Sequence, residues 1–126
     1  MRAIPPAFKK DGGTVTAPNS STINDGAAAL VLISGDKARE LGISVIARIR
    51  GWGEAEQAPQ YFTTTPSLAI PKALKHANLT PADVDFYEIN EAFSAVALAN
   101  QKILNLDSAK LNVFGGAVSL GHPLGW

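Results

Sequence analysis

Seven consecutive apolar residues, Ala-Ala-Ala-Leu-Val-Leu-Ile at 27–33, constrain the fold more than any other stretch. A short run without polar alternation reads as a strand buried on both faces, in a sheet covered by helices. It is far short of the roughly 20 apolar residues that a membrane-spanning helix needs. Around it the local signals alternate. Residues 14–16 suit a short strand after an irregular lead over 1–13, where Pro5-Pro6 blocks helix and Asp11-Gly12-Gly13 marks a turn. Ser34 can cap a helix over 35–41, and Gly42 can end it. Residues 45–50 read as a second strand, with Val45, Ala47 and Ile49 on one face and Arg48 and Arg50 on the other. A long connection over 51–65 carries Trp52, Tyr61 and Phe62. Pro71 suits the start of a helix through Ala77 that Asn78 closes. Thr80-Pro81-Ala82-Asp83 has the form of a capping box with Asp for Glu, opening one helical turn. Residues 84–89 read as a strand and 91–104 as the longest helix, its small face (Ala92, Ala95, Ala99) beside a stripe of Phe93, Val96, Ala97 and Leu104. Residues 111–114 form a last strand that Gly115-Gly116 breaks. Such alternation predicts an α/β layered fold with some parallel pairing.

Composition narrows the function. At 126 residues the chain is one domain or a piece of one. Apolar residues make up 46%, enough for a core. Eleven basic and eleven acidic residues cancel, and no basic run occurs, which argues against nucleic acid or an anionic membrane as main partner. The chain has no cysteine, which excludes disulfides, thiolate metal sites and a cysteine nucleophile of its own. Its N-terminus lacks an apolar signal core and an arginine-rich amphipathic helix, and its C-terminus is not a peroxisomal tripeptide, so a cytoplasmic location is expected.

Three polar clusters lie at strand ends or in loops beside them: residues 19–26, Asn90-Glu91-Ala92-Phe93, and Gly121-His122-Pro123. In open α/β sheets ligands bind beyond the carboxyl ends of strands, so the second and third could converge. An amide beside an imidazole is an oxyanion-stabilising pair in which Asn90 donates or holds a water and His122 donates or shuttles a proton. Simpler roles compete with this. Asn90 could be a helix cap, Glu91 a partner of the helix dipole, and His122 a turn residue. His76, near a helix end among lysines, reads as a solvated surface group. The glycine-rich stretch 115–121 fits neither the P-loop nor the dinucleotide fingerprint, a Gly-x-Ser-x-Gly elbow is absent, and two distant histidines make a metal site improbable.

Together the clusters resemble the thiolases, specifically biosynthetic acetyl-CoA acetyltransferases. Residues 14–29, Thr-Val-Thr-Ala-Pro-Asn-Ser-Ser-Thr-Ile-Asn-Asp-Gly-Ala-Ala-Ala, are similar to that family's coenzyme A loop and following strand. Tyr-Glu-Ile-Asn-Glu-Ala-Phe at 87–93 resembles its Asn-Glu-Ala-Phe motif, and Gly-Gly-Ala-Val-Ser-Leu-Gly-His-Pro-Leu-Gly at 115–125 resembles its Gly-His-Pro motif. Residues 62–104 look most like plant acetoacetyl-CoA thiolases. The resemblance implies a thiolase-like α/β fold, layered αβαβα, here incomplete and mainly the C-terminal half. Residues 1–34 would end the N-terminal half with its coenzyme A loop, and 35–126 would form a truncated C-terminal domain.

The same resemblance implies condensation of two acetyl-CoA molecules to acetoacetyl-CoA and the reverse thiolysis. Coenzyme A thioester is then the substrate, with no separate cofactor or metal. His122 would match the histidine that activates a nucleophilic cysteine and helps form an oxyanion hole. Asn90 would match the asparagine that fixes the water of that hole. Ser21 would contact the pantetheine arm, with Ala17 beside it and Phe93 near the pocket. The family's nucleophilic cysteine and its acid/base cysteine have no counterpart in this sequence. Pro18 stands where glycine is common, and Trp126 where a small residue is usual. Covalent acyl transfer needs the thiolate, so two expectations follow. Either the chain belongs to an acetyltransferase and is inactive alone, or it is a non-catalytic piece that binds coenzyme A weakly or pairs with full-length subunits. A homo-oligomer is the family's usual state.

Overall fold

The computed structural model describes residues 3–125, so the expectation for Trp126 lies outside the described residues. Four α-helices punctuate long extended stretches: α1 (Gly35–Glu40), α2 (Pro66–Ala77), α3 (Ser94–Leu104) and α4 (Ala117–Leu120). Short 3-10 turns at Ala17–Asn19, Pro59–Thr64, Pro81–Asp83 and Ser108–Lys110 join them.

Helix ends follow the side chains that cap them. The Ser34 hydroxyl accepts the Lys37 N–H at 3.2 Å. At the other end of α1, Gly42 takes φ 63°. Its N–H reaches Arg39 O at 3.2 Å while the Ile43 N–H reaches Ala38 O at 2.9 Å, a Schellman closure. Asn78 closes α2 in the left-handed conformation, with the Leu79 N–H on Leu74 O at 2.9 Å. Thr80 and Asp83 form the predicted capping box. The Asp83 carboxylate accepts the Thr80 N–H at 2.8 Å and its hydroxyl at 2.7 Å.

The start of α2 departs from expectation. The helix begins at Pro66, and Pro71 lies inside it. Pro66 and Pro71 both suit a first helical turn, and tertiary anchoring decides between them. The Ser67 N–H donates to the Asn100 side-chain oxygen at 2.8 Å, and the Ser67 hydroxyl donates to Thr64 O at 2.7 Å, which holds the first turn in place. Asn100, on α3, is fully buried. Its amide also donates to Thr63 O and Val96 O, both at 2.7 Å. One side chain thus ties α3, the turn at Pro59–Thr64 and the head of α2 together. Val96 and Ala97 complete the buried face of α3. Residues 51–53 run directly against α2. A methyl added to Gly53 would stand 2.6 Å from both Ala69 O and the Ala73 N, so only glycine permits this approach.

The predicted strands are extended but largely unpaired. Among the described residues, sheet pairing consists of three single bridges: Ser20 with Phe93, Ile23 with His122, and Tyr87 with Leu111. Residues 27–33, expected to be buried on both faces, are open to solvent, with Leu30 88% and Val31 96% exposed. Residues 45–50 are likewise exposed, and no described neighbour pairs with either stretch. Residues 14–16 pair with no strand among the described residues: Val15 O accepts the Ala7 N–H at 2.8 Å, and the Asn19 side chain donates to Thr14 O at 2.9 Å and accepts the Thr16 N–H at 2.8 Å.

Residues 84–90 run beside 110–112. The Tyr87 N–H reaches Lys110 O and the Asn112 N–H reaches Tyr87 O, both at 2.8 Å. Tyr87 and Ile89 are buried, and burial pushes the Tyr87 hydroxyl above its ordinary pKa of 10.0. The strand expected over 111–114 stops after Leu111 because Asn112 turns left-handed at φ 47°. Its side chain then substitutes for a neighbouring strand, accepting the Ile89 N–H at 2.8 Å and donating to Ile89 O at 2.9 Å.

Candidate active site

Asn90 sits at the end of the extended stretch that Asn112 holds in register. The helix expected from residue 91 begins at Ser94 instead. Residues 91–93 stay outside the helix because the loop after Ala17–Asn19 pairs with them. Ser20 bridges Phe93, and both the N–H and the hydroxyl of Ser21 donate to Ala92 O, at 3.1 and 2.9 Å. Asn90 is therefore no cap for α3.

The glycine-rich end arrives from the other side. Gly115 at φ 93° and Gly121 at φ 98° bracket α4 and turn the chain at both of its ends. A side chain at Gly121 would overlap the Asn24 amide, and one at Gly26 would meet Pro123 at 2.6 Å. The Gly-His-Pro turn thus lies tightly on residues 24–26. The His122 N–H donates to Thr22 O at 2.9 Å, which fixes the histidine backbone to the same loop that carries Ser21.

These constraints bring the Asn90 amide nitrogen to 3.1 Å from His122 Nε2. An amide nitrogen only donates, so Nε2 is the acceptor wherever this contact is a hydrogen bond. Asn90 is exposed and His122 half-buried, so the pair is open to a ligand. A groove of about 370 Å³ opens beside Asn90, between Glu88 and Ile89 and the head of α2 at Thr65, Pro66 and Ala69. Phe93 is half-buried, with the Phe8 ring edge-on at 5.4 Å and the Phe62 ring at 6.4 Å. Ala17 is exposed in its turn, where Asn19 accepts the Thr16 N–H at 2.8 Å and Pro18 is the middle residue. The Asn90–Phe93 stretch and the His122 turn, which the strand-end reading expects to meet, therefore lie together, and the loop carrying Ala17 and Ser21 joins them.

His76 is exposed as expected, yet it is not free. Its Nδ1 accepts the Trp52 N–H at 3.3 Å, and the Trp52 ring stands edge-on at 3.9 Å. Glu91 also differs from expectation. Its carboxylate serves the region around α4 rather than the α3 dipole, with Oε1 accepting the Asn112 amide at 3.0 Å and Oε2 facing the Val118 N–H at 3.4 Å. Among the described residues no group of three or more His, Cys, Asp or Glu side chains is placed to hold a metal. None of their helices is long and apolar enough to cross a membrane.

Comparison with known proteins bears on the same elements. Residues 1–36 match the family model of the thiolase N-terminal domain, and residues 43–126 match that of the thiolase C-terminal domain. The chain is 67% identical over 125 residues to acetyl-CoA acetyltransferase 1 of Arabidopsis thaliana, covering 99% of this chain and 30% of that protein. It is 62% identical to the cytosolic acetyl-CoA acetyltransferase ERG10 of Gibberella zeae, over 99% of this chain and 31% of that one. Its backbone superposes on the Acat5 thiolase of Ascaris suum, solved in complex with coenzyme A, with a TM-score of 0.93 and 50% identity, covering 98% of this chain and 33% of that chain. The Bacillus anthracis acetyl-CoA acetyltransferase gives a TM-score of 0.93 at 48% identity, over 98% and 31%. The chain thus spans about a third of the length of these relatives, and its extended stretches trace part of a thiolase fold. Two family domains met in order, and a backbone that follows thiolases almost throughout, make this chain a member of the thiolase family.

Proposed function

We propose that this chain carries one half of an acetyl-CoA acetyltransferase site: the oxyanion-stabilising half, built on Asn90 and His122. The observation that carries the reading is the 3.1 Å contact between the Asn90 amide and His122 Nε2 at the meeting of three loops. When the carbonyl oxygen of a coenzyme A thioester gains charge, the Asn90 amide can donate to it directly. His122 can do the same in the form that carries a proton on Nε2, so that two N–H donors face one oxygen. Ser21, Ala17 and Phe93 would form the adjoining wall for the pantetheine arm. Acyl transfer itself needs a thiolate, which these 126 residues do not contain, so it has to come from outside them. The reaction served is condensation of two acetyl-CoA to acetoacetyl-CoA and its reverse, in the cytoplasm, where a similar fungal enzyme is named as cytosolic.

A second reading is favoured by a different observation. The apolar stretch 27–33 lies open to solvent, which suits a non-catalytic piece that associates with full-length subunits.

Titration of acetyl-CoA into isotope-labelled chain tests the binding half of the proposal. Amide perturbations clustered at Ser21, Phe93 and His122 are expected. Saturating ligand that leaves these residues unmoved would remove the substrate assignment and leave the second reading.

A further inference from the structure

We infer that Glu91 is a positioning residue that sets the Asn90–His122 contact by clamping the two segments that carry it, with Asn112 as the second arm of the clamp. The inference rests on reading that pair as the site. Glu91 follows Asn90 directly, and its carboxylate touches neither Asn90 nor His122. One oxygen accepts the Asn112 side-chain amide at 3.0 Å. The same amide group holds both the N–H and the carbonyl of Ile89, the residue before Asn90. Asn90 is thus gripped from both neighbours, by the backbone at 89 and by the side chain at 91.

The other carboxylate oxygen faces the Val118 N–H at 3.4 Å, in the first turn of α4. That helix ends at Leu120, two residues before His122. A shift of its first turn therefore carries the histidine with it. The seat is closely fitted, since a methyl group on Gly116 would overlap the Glu91 carboxyl. None of the ion pairs among the described residues involves Glu91. Its bonds to this seat come from N–H donors alone, and they join the two motifs that must meet.

Nuclear magnetic resonance of the full 126-residue chain tests this without reference to turnover. Three variants are compared, Glu91→Gln, Gly116→Ala and Asn90→Ala, with His76 as an internal reference. A glutamine keeps the shape but sets an NH₂ against one of the two N–H donors. Gly116→Ala displaces the carboxylate while leaving its charge. Both are expected to weaken the cross-relaxation between the Asn90 amide and the His122 ring at least about twofold. The His122 ring signals should move in the direction they take in Asn90→Ala, while His76 and the α3 amides at Val96 and Ala97 stay in place. Should Glu91→Gln lose the α3 signals through unfolding, Gly116→Ala decides alone. Wild-type His122 signals in the folded clamp variants, with altered signals in Asn90→Ala, would overturn the clamp and spare the pair. Unaltered His122 signals in Asn90→Ala would overturn the pair itself, and the clamp with it.

Discussion

Asn100 does more for the architecture than any apolar residue of its helix. It is fully buried, and its side chain bonds Ser67 N, Thr63 O and Val96 O. Replacing it by leucine leaves the Ser67 N–H and the Thr63 carbonyl without that partner, at a cost of about 1–3 kcal/mol for each buried group left unmade. Asn100→Leu should therefore lower the urea midpoint markedly, whereas Lys102→Ala on the exposed side of the same helix should change it far less. Gly121 is the corresponding constraint at the site. At φ 98° and ψ 164° it occupies a region that side chains avoid at roughly 1–3 kcal/mol, and a methyl there would strike Asn24. Gly121→Ala is expected to displace the His122 turn and remove the acetyl-CoA perturbation at the His122 amide. An unchanged titration would show that the turn tolerates the side chain.

Elements divide into those whose causes are local and those whose causes are not. The caps of α1 and the Thr80–Asp83 turn were legible because each depends on residues within a few positions of one another. This locality gives a pH prediction. Bonds from the Thr80 hydroxyl and N–H hold the Asp83 carboxyl below its ordinary pKa of 3.8. A depressed folded value means that the turn is supported above pH 3.8 and loses that support as pH falls through the lower folded value. The Thr80 amide signal should follow the Asp83 titration in that window, and Asp83→Asn should remove the dependence. The head of α2 was not legible, because Pro66 and Pro71 both suit a first turn and the anchor that favours Pro66 joins Ser67 to Asn100, 33 residues on. Nor was the late start of α3, since Ser20 and Ser21 hold Ala92 and Phe93 out of the helix from the far end of the chain. The convergence of the site was readable only as three motifs in order. The Glu91 seat was hidden by its position, which suited a dipole partner equally well. The apolar run 27–33 shows the opposite case. Its sequence reads as buried strand, but the neighbours that would cover it are not among the described residues.

At the scale of the whole molecule, that exposed run is one of several uncovered apolar stretches, another carrying Val45, Ile46 and Ile49. Extended backbone without partners and with apolar side chains favours edge-to-edge association. The purified chain should self-associate with rising concentration in sedimentation velocity, and Val31→Lys with Ile46→Lys should shift it toward monomer. A monodisperse wild-type monomer at high concentration would refute this. The proposed acyl-transfer role of Asn90 and His122 has no thiol to complete it within these 126 residues. The most direct test is thiolysis of acetoacetyl-CoA by the purified chain, alone and then mixed with a full-length thiolase. The account predicts no turnover above background by the chain alone. Turnover by the isolated chain that is lost in His122→Ala would contradict it and require a nucleophile other than cysteine.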